Sequence, residues 1–187
     1  MRITKLTFAL LTLIGLVFVA SYLGGQSSNA ASAPDGRVNA HWKGASTLTP
    51  VGAGPNPARC GAFPENVELT FSGGGIDTGG GVFTSAASAC TNTTTGLITD
   101  LKATDTFQNG DSIFIESDPL TPIPNPDTCV STNAHAVGFR VGAGGGTGTF
   151  AGATGHGRYH IALNDTACNG QPPTAHIWFE GILQLAQ

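Results

Sequence analysis

Glu65-Asn66-Val67-Glu68-Leu69-Thr70-Phe71-Ser72 is the stretch on which the fold turns. Val67, Leu69 and Phe71 fall on one side of an extended chain, and Glu68, Thr70 and Ser72 on the other. That period of two marks a strand with one apolar face. The pattern recurs outward from it. Residues 82–88 give a second strand after a Gly-rich turn. Residues 97–107 give a third, with Leu97, Leu101, Ala103 and Phe107 in phase. Ile113 and Ile115 mark a fourth, behind the Asn109-Gly110-Asp111 turn signal. Val137, Phe139 and Val141 mark a fifth, Tyr159, Ile161 and Leu163 a sixth, and Ile177, Phe179, Leu183 and Leu185 the last. No segment beyond the first 30 or so residues has a helical period, and the Gly, Thr and Ser content suits strands and turns. Six or seven antiparallel strands at this spacing predict an all-β fold, a small antiparallel closed β-barrel or a sandwich. Residues 31–58 are rich in Gly, Pro, Ala and Ser without a sustained period. They are expected to be a flexible N-terminal arm, leaving 59–187 as the β-barrel domain.

The N-terminus carries the parts of an export signal. Arg2 and Lys5 precede the apolar run at residues 6–19, and small residues follow at Ser28-Asn29-Ala30 and Ala31-Ser32-Ala33. Cleavage is expected after Ala30, because Pro34 directly follows the second site. A membrane anchor needs roughly 20 apolar residues, and this run gives way at Gly24-Gly25-Gln26. Residues 1–30 are therefore read as a signal peptide, with no stable membrane anchor after cleavage and a secreted product.

Removing that segment takes away two of the eight basic residues and none of the twelve acidic ones. The acidic remainder, with its basic residues scattered, argues against nucleic acid or an anionic membrane surface as partner. The four cysteines, Cys60, Cys90, Cys129 and Cys168, all lie in the mature part. An even count in an exported chain reads as two disulfides with three pairings open. Strand counting puts all four at one end of an up-and-down barrel. It favours Cys60–Cys90 with Cys129–Cys168, the rival being Cys60–Cys168 with Cys90–Cys129. No Cys-x-x-Cys or Cys-His pair at ligand spacing occurs. His156 and His160 would stand about 13 Å apart on a strand, so neither a metal nor another cofactor is expected.

The densest motif runs from Val141 through Gly-Ala-Gly-Gly-Gly-Thr-Gly-Thr-Phe-Ala-Gly-Ala-Thr-Gly-His-Gly-Arg to Tyr159. It lacks the Gly-Lys-Ser/Thr of a nucleotide loop, and it opens a strand, not a helix. Its bland role is a tight crossing, with Phe150 plugging the barrel end. Gly145 to Gly155, read as Gly-Gly-Thr-Gly-x-Phe-x-Gly-Ala-x-Gly, resembles the segment of dirigent proteins and allene oxide cyclase-like barrels. The resemblance is good over residues 137–163 and pattern-level over 65–187. It implies a calycin-like closed barrel, a homo-oligomer (often a trimer), and an axial pocket for a small apolar molecule. The activity it implies is a cyclase, isomerase or dirigent-type reaction steered by orientation. The four cysteines and the export signal depart from the usual pattern.

Opposite the main apolar stripes sit Glu68, Asp100, Lys102, Glu116, Arg140, Arg158, His160, Trp178 and Glu180. The first expectation is that they coat the exterior. Arg158 and His160 follow the glycine segment, and His176, Trp178 and Glu180 alternate on the next strand. If those strands pair, Arg158 or His160 can face Glu180 across a ladder and act as an acid near an apolar pocket. The catalytic candidates are thus Arg158, His160 and Glu180, with Arg140, Tyr159 and Trp178 as ligand-binding residues. No Gly-x-Ser-x-Gly elbow is present. A third reading is a non-catalytic cell-surface interaction protein, whose contact face would include Trp178 and Ile182.

Overall fold

The computed structural model describes residues 31–32, 38–164, 168, 170 and 172–186. The expected signal peptide lies outside the described residues. The strands are β1 (Ala31–Ser32), β2 (Val38–Gly54), β3 (Asn66–Asp77), β4 (Gly81–Asn92), β5 (Ile98–Phe107), β6 (Ser112–Ser117), β7 (Ile123–Asn125), β8 (Val130–Thr132), β9 (Val137–Gly146), β10 (Thr154–Asn164) and β11 (Ala175–Leu185). One helical turn, α1 (Pro57–Cys60), precedes β3. Its Asn56 cap accepts from the Arg59 amide at 3.3 Å.

Strands β2-β3-β4-β5-β6-β9-β10-β11 pair in that order, every neighbour antiparallel. The ring closes where β11 returns to β2, from Ala175↔Leu48 to Leu185↔Val38. The fold is a closed antiparallel barrel, as expected, with eight strands where the alternation marked six or seven.

Three features differ from the sequence reading. First, residues 38–54 are not an arm: they form the strand that closes the ring. Parity requires it. Seven up-and-down strands leave the first and last parallel, so an antiparallel closure needs an eighth. The strand is masked in the sequence because its inward stripe is Trp42, Gly44, Ser46, Leu48, Pro50, with Gly44 and Ser46 interrupting the apolar run. Gly44 has no room for a side chain, since a Cβ there would stand 2.6 Å from the Phe179 ring. Second, the phase of β5 slips at Asp100, whose φ is 46°, opposite a register shift between Ser88 and Cys90. Ile98 is therefore buried and Leu97 exposed. Third, the short β7–β8 hairpin adds onto the end of β10 through Leu163↔Ser131.

One barrel end is sealed. Phe150 stacks on Phe107 with centroids 4.9 Å apart, and Phe107 meets Phe83 edge-on at 5.8 Å. Such pairs prefer offset or T-shaped geometry and contribute beyond their buried area. The glycine segment brings Phe150 there. At Gly145, with φ of 75°, a Cβ would lie 2.3 Å from the Ala153 nitrogen, so only glycine fits that crossing. Asp111 fixes the segment from outside by accepting from the Thr149 amide at 3.0 Å and hydroxyl at 2.6 Å. Those bonds hold its carboxyl below the usual range.

Candidate functional site: an apolar lumen

Above the seal the barrel encloses a cavity of about 430 Å³. It stays open because several inward positions carry small side chains. Ser46, Ser85, Ala87, Ala89, Ala103 and Ala175 line it where larger residues would fill the axis. Leu48, Phe71, Ile98, Leu101, Ile115, Ile161 and Phe179 complete an apolar wall. The volume falls within the roughly 300–1,000 Å³ of small-molecule pockets.

Trp42 forms the floor, packed edge-on against Phe139 and Phe179 at 5.4 and 5.2 Å. Its Nε1 donates to Asp77 Oδ2 at 2.8 Å. The other Asp77 oxygen accepts from the Gly79 and Gly80 amides.

Just above the seal, Asp105 points into the lumen from β5 beside Ser85, its cross-strand partner on β4. It is only 4% exposed. Burial pushes its carboxyl up to about 7; the Ser85 hydroxyl opposes that rise and the nearby Asp77 charge adds to it. Tyr159 also lines the lumen, its hydroxyl 2.7 Å from Ser117 Oγ. Burial raises that phenol to about 12 against the Ser117 hydrogen bond, so it stays neutral. Toward the open end, the lumen-lining Thr91 has a buried hydroxyl with no hydrogen-bond partner.

The mouth is framed by Pro122, Pro124 and Ser131 and by Asn164, Pro173 and Thr174, with Ser131 and Asn164 lying on the paired strands β8 and β10. The Cys129–Cys168 disulfide joins these two segments, and Cys60–Cys90 ties α1 to β4. The favoured connectivity is therefore the one formed, with both bridges at the open end. Beside the second bridge, Arg59 binds Glu68, the Asp100 carboxylate and carbonyl, and Ser88. The Arg59 hydrogen bond lowers the Asp100 carboxyl; at Glu68 the Asn56 hydrogen bond is the larger cause, followed by that from Arg59.

The proposed catalytic trio does not reach this lumen. Arg158 does face Glu180 across the ladder, and His160 faces Trp178, but all four are exposed on the outer wall. Arg140 is outside as well, paired with Glu116 at 2.6 Å and 3.8 Å from Asp118. Trp178 stacks on His176 instead, at 6.4 Å. The reason is the period of two: with Tyr159 inward, Arg158 and His160 must point out. Of the six named candidates, Tyr159 alone lines the cavity.

The sequence reading missed Asp105, Ser85, Ser117 and Thr91. For Asp105 a signal existed. In Leu101-Ala103-Asp105-Phe107 a carboxylate interrupts an inward apolar stripe, and a buried acid in that position needs a reason. No protein-family model, curated protein or solved structure matches this chain.

Proposed function

We propose that this protein is exported and that its barrel binds a small, mostly apolar molecule in the lumen. The observation that carries the reading is the 430 Å³ apolar cavity, kept open by small side chains and sealed at one end by Phe150 and Phe107. The partnerless Thr91 hydroxyl supports it, because a buried hydroxyl without a partner costs free energy that a ligand or water can offset. Two disulfides suit an oxidising compartment. Among the described residues no helix is long and apolar enough to cross a membrane. The barrel wall is also apolar inside and carries charges such as Lys43, Lys102 and Arg158 outside, the reverse of a membrane-spanning barrel.

The test is a panel of phenols, medium-chain alcohols and polycyclic ketones, read by thermal shift and by Trp42 fluorescence. Ligands are expected to raise Tm, and Ala87→Leu, which fills the lumen, is expected to weaken them at least ten-fold. A panel without any shift, or an Ala87→Leu variant that binds as wild type does, counts against the reading.

A cyclase or dirigent-type activity is a second reading, favoured by one observation. Asp105 is a carboxyl held up to about 7 inside an apolar chamber, suited to donating a proton to a bound oxygen. Arg158, His160 and Glu180 take no part in it. Asp105→Asn should then abolish turnover of a lumen ligand while leaving its binding within three-fold. Turnover that survives the change would remove this reading.

A further inference from the structure

We infer that the lumen sorts ligands by charge, taking a neutral hydroxyl or carbonyl end at the Asp105–Ser85 site and rejecting an anionic end on the same skeleton. The inference rests on the lumen-binding reading above and adds the ligand's chemical class.

Three observations carry it. Among the described residues, the lining contains no Lys, Arg or His, so no counter-ion meets a ligand carboxylate, sulfate or phosphate. The basic side chains Lys43, Lys102, Arg140 and Arg158 are spent on the outer wall, and Arg59 is engaged with Glu68 and Asp100 beside the mouth. The deep end of the chamber is instead acidic. Asp105 faces the cavity and Asp77 stands behind the Trp42 floor, its oxygens occupied by Trp42, Gly79 and Gly80. An anion drawn to that depth loses water, gains no cation, and meets a carboxyl of the same sign once Asp105 ionises.

The neutral case is different. Burial keeps Asp105 largely protonated below about pH 7, so it can donate to a carbonyl or ether oxygen. Ionised, it accepts from an alcohol or phenol. Ser85 donates or accepts beside it. The titratable group that acts on Asp105 is Asp77 behind the floor, and Tyr159, which also lines the lumen, stays neutral. The chamber therefore suits alcohols, phenols and ketones and disfavours fatty acids.

The test uses four probes of one chain length on the intact protein at about pH 8: decanol, methyl decanoate, decanoate and decylammonium. At this pH Asp105 is ionised, so decanol should bind by donating to it and the ester by accepting from the Ser85 hydroxyl, with decanoate at least ten-fold weaker. Decylammonium controls for lost hydration, because it is charged but of the opposite sign. It should bind better than decanoate. In Asp105→Asn the gap between decanol and decanoate should shrink at least three-fold. Decanoate binding as well as decanol overturns the charge rule. So does equal loss of both ions, since sign would then play no part, and this comparison needs no variant. An unchanged gap in a folded Asp105→Asn protein overturns the role of Asp105. If no probe binds in a manner sensitive to Ala87→Leu, it is the lumen-binding reading that fails, and this inference falls with it.

Discussion

Asp105 and Arg59 show how single side chains set the response to pH and denaturant. The folded pKa of Asp105, about 7, lies above its ordinary 3.8. Its contribution to stability is therefore fully present below about pH 4 and lost as pH rises through 7, on the order of 4 kcal/mol in all. Glu68, Asp100 and Asp111 act in the opposite sense. Their folded values are depressed, so their contribution is lost as pH falls below the carboxylate range. Stability should peak in mildly acidic solution, with the urea midpoint higher at about pH 5 than at about pH 8. Asp105→Asn should flatten the slope between those two values; a wild-type midpoint that does not move would contradict the assignment. Arg59→Met should lower the urea midpoint, because it strips charge-assisted hydrogen bonds from Glu68 and Asp100. Equilibrium urea unfolding measures that loss. Asp105 was legible as a misfit in an apolar stripe. The Arg59 cluster was not, because it joins residues 41 positions apart.

At the scale of elements, β2 and the two bridges decide whether the barrel holds its shape. A chain beginning at residue 59 would lack β2 and expose the edges of β3 and β11. It is expected to lose cooperative unfolding and to aggregate, as open edges invite pairing. A soluble, cooperatively folded product by circular dichroism would show that closure through β2 is dispensable. The disulfides close loops of 30 and 39 residues. Chain entropy gives each about 4 kcal/mol, so replacing either pair by Ser should lower the unfolding free energy by a similar amount, as read from equilibrium urea unfolding. The two should differ in ligand response, because Cys129–Cys168 alone joins the segments that frame the mouth. Seven strands were legible because apolar residues recur at alternate positions along most of each. The eighth was hidden because its inward side had to leave room. Gly44 yields space to Phe179, and Ser46 borders the cavity.

For the whole molecule, closure fixes which faces are inside, and the outer wall then carries its own features. Trp178, Ala45, Ile76 and Val82 lie in one row across β11, β2, β3 and β4. Trp178, Ile76 and Val82 remain exposed. The alternation of apolar residues determined by itself that this chain is all-β, because a period of two suits an extended strand, and short turn signals such as Asn109-Gly110-Asp111 made neighbouring strands antiparallel. The count of cysteines likewise pointed to two bridges, and strand counting favoured, over one rival, the pairing that forms. Only the tertiary structure decided that a Gly- and Pro-rich stretch is the closing strand, since parity of the ring is a property of all strands together. It alone decided that Arg158, His160 and Glu180 look outward while Asp105 looks in. Alternation separates two faces of a strand, but it does not say which face surrounds the axis until the last strand has paired with the first.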